Sequence, residues 1–487
     1  MDIDDFLNAP GRDDGIGHAR KLIDSLGIKY IYVQYVTATG RVVGKGIPAA
    51  HWERVAERGV QLVYGSTANV AMNRVGRYIG YGPEASELIA LPEPDTFAQL
   101  PWDGRTARVF ARLFRNRDEE EEPGAYLDAD CRGNLARSHA AFTEHHGMHL
   151  RIGTEPEMLW LRRENGALVG VTKPNCYHID QFEELREVML RVVEYGRALG
   201  LDMIQGDHED APGQLELNFT YDDPLRNADR LTTYRQICRQ VARELGLVAC
   251  FMAKPFLGYS GSGCHHNLSV WQGGQDEELD LGTSTSAPGV RTHRTGGTNL
   301  LLREAGGTGL SDVGRHTIGG IVAHLPALTA LACSTVNSYR RMWDAGLWAP
   351  FTAHWGYQNR TCALRVSAPD RFEFRVADAM TNPYLMAAGL LAAADDGLTR
   401  QLDAGEPLAA NAYDVADSPS GTGAHTLARL PAHLGDALAA LAADPVVRGA
   451  LPGRLYTTYT GLKSDEWERF LATTTSWDFD TYLDYTP

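Results

Sequence analysis

The sequence predicts an α+β protein in two parts: a small sheet-rich unit over residues 1–117 and a larger unit over 125–487, joined by an acidic linker at 118–124. Three observations predict it. At 487 residues the chain exceeds what one hydrophobic core normally organises. Short extended runs crowd its first part, whereas helical patterning dominates from Asp312 onward. Between the two parts lies RDEEEEPG, Arg117 to Gly124, a solvated charge run closed by Pro-Gly. Glu119 to Glu122 read there as linker, not as metal ligands.

In chain order, Ile16, Ala19, Leu22, Ile23 and Leu26 recur at helical spacing and stop at Gly27. Tyr30 to Val36 and Arg41 to Gly44 read as strands about the turn Ala38-Thr39-Gly40. Ala49 to Arg58 reads as a helix, Val60 to Tyr64 as a strand, and Arg108 to Phe114 closes the first set. Asp128 to His146 reads as a helix, and His145, His146 and His149 at its end read as structural. Amphipathic helices follow at 182–200 and 223–246, each ending on glycine, and a further helix spans Leu385 to Asp396. The Gly/Thr-rich stretch 282–310 reads as a surface loop, without the Gly-Lys-Ser/Thr ending of a phosphate loop.

Composition narrows the function. Hydrophobic content of 44% and charged content of 22% are those of a soluble globular chain. A net charge of −16 argues against nucleic acid or an anionic membrane as partner, yet leaves room for ATP at a local positive site. The start, MDIDDFLNAP, lacks the apolar stretch of a signal peptide, and no window reaches transmembrane length. The seven cysteines are scattered without CxxC spacing, which reads as reduced thiols in a cytoplasmic protein.

The chemistry concentrates in a few stretches. KPFLGYSGSGCHHNLSVW, Lys254 to Trp271, is a glycine-rich turn leading into an alternating run. His265, Asn267 and Ser269 point to one face and His266, Leu268 and Val270 to the other. Taken alone, this is equally a hairpin with an incidental histidine. Glu155 and Glu157 in RIGTEPEMLW share a face at i, i+2 spacing, which mutual repulsion makes costly unless cations sit there. DHEDAPGQLELNF adds Glu209 before a turn, then Gln214, Glu216 and Asn218 along a second strand. An exposed strand face explains either run as well. Arg340, Arg341, Arg360, Arg365 and Arg375, the last beside Glu373 in RFEFRVAD, suit carboxylate and polyphosphate ligands; structural Arg–Glu pairs are the alternative. Five glutamates and one histidine are enough for two hard divalent cations.

Lys254 to Ser269 resembles the ATP-binding signature of the glutamine synthetase family. The likeness continues through GTEPE, DHEDAPGQLE, NSYRR, NRTCALR, RFEFR and NPYLMAAG, in order and spacing across most of residues 120–400. It implies a small N-terminal β-grasp domain and a catalytic domain with a curved antiparallel sheet and flanking helices. It implies ATP and two or more Mg2+ or Mn2+ ions as cofactors, with glutamate and an amine as substrates. Glu157, Glu209 and Glu216 match the ligands of one metal, and Glu155, His265 and Glu373 those of the other. Arg341 and Arg375 match residues that hold glutamate, alongside the turn at Gly261. Arg360 matches the arginine that stabilises the transferring phosphoryl group, and Arg365 with Ser269 the nucleotide-phosphate contacts. The family's stacked rings, dodecamers among them, place each site between subunits.

The departures from the family pattern bear on the nucleophile. Its second histidine in GSGxHxH is Asn267, which alters the nucleotide contact, and its NGSG turn begins with Ser260, which leaves another acyl donor open. Glutamine-forming members carry an Asp in FDGSS and a Glu before Ala-Pro on a closing flap. The corresponding stretches are VYGST, with Tyr64, and LWAP, with Trp348. Aromatics in place of both acids suit an alkylammonium ion or an aromatic amine better than ammonium. The sequence is also similar to the branch containing γ-glutamylmethylamide synthetases. The resemblance therefore implies a γ-glutamyl-amine ligase. An ammonia-using glutamine synthetase and a silent structural or regulatory relative are the alternatives, the second disfavoured by the six retained ligands.

Overall fold

Residues Arg12–Leu26 form the first long helix of the computed structural model, burying Ala19, Leu22 and Ile23 and ending where Gly27 takes φ +67°. The structure describes residues 2–274, 276–279, 292–301, 309–344, 347–417 and 427–484. After the helix come β1 (Tyr30–Val36), β2 (Val42–Pro48), a helix at Trp52–Arg58, β3 (Val60–Val63), β4 (Glu87–Pro92), β5 (Ala98–Leu100) and β6 (Asp103–Phe114). Their sheet runs β2-β1-β6-β4-β3, with β5 against β6. Only β1 and β6 pair in parallel, so a crossover through the intervening strands separates them. Ile31, Val33, Trp52, Val109 and Leu113 fill the core behind it.

Two expectations change here. Tyr64 does not end a strand but opens a 3-10 turn over Tyr64–Ala68. The acidic run is not all solvated linker. Glu119 is half-buried, pairs with Arg115 at 3.0 Å and accepts a hydrogen bond from the Tyr64 hydroxyl. An arginine and a phenol within reach compensate the charge that composition alone assigns to water.

The second sheet holds β7 (His149–Glu164), β8 (Ala167–Gly170), β9 (Met203–His208), β10 (Gln214–Phe219), β11 (Val248–Cys250) and β12 (Cys264–Gln272). After the short pair β13 (Asp276–Leu279) and β14 (Thr292–Thr295), it is continued by β15 (Thr298–Asn299), β16 (Trp355–Tyr357), β17 (Leu364–Ala368) and β18 (Arg371–Phe374). Its order is β16-β17-β18-β12-β7-β10-β9, with β8 and β11 on β7 and β15 on β12. Pairing is antiparallel except between β16 and β17. Much of the Gly/Thr-rich stretch 282–310 lies outside the described residues.

Helices cover one face of this sheet. The helix Asp312–Ala332, apolar nearly all round, packs with Pro383–Arg400 beneath Leu268, Val270, Phe372 and Phe374. The helices Arg186–Ala198 and Pro224–Glu244 cover Met158, Trp160 and Leu217. With that face closed by apolar packing, the alternating charged residues are left on the other. No described helix is long and apolar enough to cross a membrane.

Candidate active site

Strand register, more than sequence proximity, assembles the site. Glu155 on β7 lies opposite His265 on β12, and Glu157, two residues on, lies opposite Glu216 on β10. Glu216 in turn lies opposite Asp207 on β9. On the other side of β12, Asn267 lies opposite Glu373 on β18, which faces Arg365 on β17. The i, i+2 period puts all of these on one sheet face, as a charged row crossing six strands.

Above the row is a cavity of about 560 Å3, walled by Glu155, Glu157, Glu209, Glu216 and His265 on one side and by Arg341, Arg360, Arg365, Arg375, Trp348 and Gly261 on the other. A larger cavity of about 680 Å3 lies elsewhere, beside Arg132, Glu93 and Asp229. Those charges are spent on one another, with Arg132 reaching Asp229 at 2.8 Å and pairing with Glu93.

The acidic side is crowded. Burial first, then Glu157 and Asp207, push the Glu209 carboxyl up to about 8. Burial and the charges of Glu155, Glu157 and Glu209 hold Glu216 well above the usual range, and Asp207 rises to about 6 through burial and Glu157 and Glu155. His265 and Arg360 pull Glu209 partly back, and neutral donors relieve its neighbours. Gln214 donates to Glu157 at 3.1 Å, the Gly263 amide to Glu157 at 2.8 Å, and Asn218 to Glu216 at 2.8 Å.

The basic side is balanced. Burial alone would raise Glu373, but His265, Arg375 and Arg365 hold it well below the usual range. The His265 imidazole is raised above its ordinary value. Burial and Arg375 oppose this, and hydrogen bonds to Glu155 and Glu373 outweigh them. His265 Nδ1 sits 3.4 Å from Glu155 and 3.1 Å from Glu373, and the three donor atoms lie within 4.8 Å of one another. That set, oxygen-rich with one imidazole, has the donors a divalent cation takes, and Glu157, Glu209 and Glu216 stand beside it in the wall.

Two glycines are needed for room. A Cβ on Gly261 would lie 2.6 Å from the Ala253 carbonyl and 2.7 Å from Arg341, and one on Gly263 would lie 2.7 Å from His265. Arg341 is itself fixed in the wall by the Val376 and Arg375 carbonyls at 3.0 and 3.1 Å.

Not every expected residue is at the cavity. Asn267 holds Glu155 through its amide at 2.8 Å, and its own oxygen is buried with no hydrogen-bond partner among the described residues. Ser269 is buried and accepts from Trp271 Nε1 at 2.8 Å, and it is not part of the wall. Tyr64 does not line the cavity either. Its ring is 3% exposed and stacked on Tyr81, with its hydroxyl on Glu119. Trp348 is at the wall, 56% exposed, with φ +66°. Sequence reasoning passed over Asp207, Cys176 and Tyr177, which also line it. Asp207 was findable, since it precedes Glu209 by two, the same spacing that singles out Glu155 and Glu157. Cys176 and Tyr177 come from a loop with no periodic signal.

Comparison with known proteins agrees with this architecture. Residues 128–482 match the family description "Glutamine synthetase, catalytic domain". The chain is 31% identical over 466 residues to a glutamine synthetase of Rhizobium leguminosarum bv. phaseoli, covering 94% of this chain and 97% of the relative. It is 31% identical over 484 residues to a glutamate–methylamine ligase of Methyloversatilis universalis, covering 96% and 99%. A solved structure of a GmaS/ADP complex superposes with a TM-score of 0.81 at 30% identity, covering 96% of this chain and 99% of that one.

Proposed function

The chain belongs to the glutamine synthetase family, and on that premise we propose that it joins glutamate to a primary amine larger than ammonia, with ATP as the energy source and a γ-glutamyl phosphate as intermediate. The observation that carries the choice of amine is Trp348 in the cavity wall, where the family's glutamine-forming members have a glutamate. An indole face attracts an alkylammonium through cation–π contact, worth roughly 0.5–2 kcal/mol, and covers its alkyl group, but it takes no proton from ammonium. The similarity to a glutamate–methylamine ligase supports the same reading.

In this reading Glu157, Glu209 and Glu216 hold one divalent ion and Glu155, His265 and Glu373 the other. When bound, the ions offset negative charge on the phosphoryl donor and on the acceptor carboxylate. Arg341 and Arg375 orient glutamate, and the carbonyls and Glu373 that fix both guanidiniums keep them from following the substrate. Arg360, exposed at the rim, meets the charge that builds on the transferred phosphoryl group. The γ-carboxylate oxygen takes the terminal phosphoryl group and ADP departs. The bound alkylammonium gives one proton to solvent water to free its lone pair, the nitrogen attacks the acyl carbon, phosphate leaves with the acyl–oxygen bond's electrons, and the nitrogen gives a second proton to solvent.

Phosphate release with glutamate, ATP, Mg2+ and a panel of amines beside ammonium tests the proposal. An alkyl or aryl amine should give the highest kcat/KM, and ammonium ahead of every amine would overturn it in favour of an ordinary glutamine synthetase. Trp348→Glu should shift the ammonium-to-amine ratio of kcat/KM upward by about tenfold. An unchanged ratio would remove Trp348 from amine selection.

A further inference from the structure

We propose that His145, His146 and Asp395 form a second metal site, remote from the catalytic cavity and suited to Zn2+, Ni2+ or Co2+. The helix Cys131–His146 stops at Gly147, φ +63°, so its last two side chains lie at the end of the helix, beside Asp395 on Pro383–Arg400. His145 Nδ1 lies 2.8 Å and His146 Nε2 2.7 Å from the same oxygen of Asp395. The three donor atoms fall within 4.8 Å of one another, and the two rings are 4.3 Å apart. One imidazole on a carboxylate is an ordinary hydrogen bond. Two ring nitrogens meeting at one oxygen make an N, N, O set, which borderline transition ions take at about 2.0–2.2 Å. Widening the two N···O separations by roughly half an ångström brings them to the edge length of such a tetrahedron.

Part of the site is held in place in advance. His146 is 11% exposed and leans on buried Phe142, ring centroids 5.0 Å apart, so its ring is not free to turn. His145 and Asp395 are 54% and 42% exposed, which leaves water to complete the coordination. Mg2+ prefers oxygen ligands in octahedral geometry and gains little from two imidazoles, so the site would not compete with the cavity for the catalytic ion. His149 stands apart, its Nδ1 3.3 Å from the Thr143 hydroxyl. A bound ion would tie the end of one core helix to another, because both bury residues in the same cluster.

The test is isothermal titration of the full-length protein, saturated with Mg2+, with Zn2+ or Ni2+. The wild type should bind one equivalent per chain more than His146→Gln or Asp395→Asn, with amine-dependent phosphate release by the variants unchanged. With Co2+, the wild type alone should gain the visible absorption of tetrahedral coordination at this site. His145→Gln, at a half-exposed position that cannot endanger the fold, should lose the same equivalent. Equal stoichiometry in the wild type and all three variants would overturn the proposal.

Discussion

The two halves of the cavity floor share a sheet and a face, yet their electrostatics are opposite. Around Asp207, Glu209 and Glu216, acids face acids, and burial with mutual repulsion drives their carboxyls upward. Around Glu373, an imidazole and two guanidiniums converge on one carboxylate and drive it down. A folded chain keeps a buried, uncompensated acidic cluster only where something else supplies the opposite charge. The acidic half therefore carries charge that the chain leaves for protons, or for the proposed cations, to offset. The basic half carries its own balance and is built to orient anions.

Breaking the acidic half should have the largest effect. Glu216→Gln keeps the shape and the hydrogen bond from Asn218 but removes a charge from the proposed metal shell. Losing several kcal/mol of transition-state charge stabilisation corresponds to a fall in kcat of about a thousandfold. The metal-free variant should melt no lower than the wild type, since the amide replaces a buried carboxyl that its acidic neighbours already hold well above its usual range. A fall of less than tenfold in steady-state turnover would show that Glu216 does not serve the reaction.

The basic half separates into exposed and buried members. Arg360→Ala should lower kcat by about a hundredfold at little cost in melting temperature, because Arg360 is exposed. Arg375→Ala should unfold at lower temperature, since it removes one of three cationic partners from buried Glu373, a loss of about 1.5–3 kcal/mol. Kinetics and thermal melts on the pair check the contrast; equal destabilisation by both would contradict it.

Much of this contrast was legible in the sequence, because the i, i+2 period is local: Glu155 with Glu157, Glu373 with Arg375, and Asp207 with Glu209 had it been applied there. The antiparallel register that sets His265 against Glu155 was not legible, since pairing between distant strands depends on which faces the whole core buries. Tyr64 lies away from this chain's cavity for a related reason. Its neighbours in sequence resemble a substrate loop, but Tyr81 and Glu119, 17 and 55 residues on, draw its ring into the N-terminal core. The mixed α+β class was the easier inference, because short strands, turns and helical periodicity are all local signals. The meeting of His145 and His146 with Asp395, some 250 residues away, left no local trace.

The smallest expected effect measures the charge imbalance most directly. Glu209 and Asp207 have ordinary values of 4.5 and 3.8 and are raised in the fold to about 8 and about 6. Between the two values the folded chain binds more protons than the unfolded one. Their stabilising contribution is thus fully present below about pH 4 and is lost as pH rises toward 8. Glu373 carries the opposite sign. Its contribution is complete above its ordinary value of 4.5 and fades only in acid, so it stays level through the same window. Chelator-treated protein should accordingly lose roughly 2–4 °C in melting temperature between pH 6 and pH 8.5. Mg2+ or Mn2+ should restore more of it at pH 8.5 than at pH 6, because the ions compete with the protons these carboxylates hold. A melting temperature that is flat with pH and indifferent to either ion would mean that the acidic half is already compensated within the chain, and the contrast between the two halves would fail.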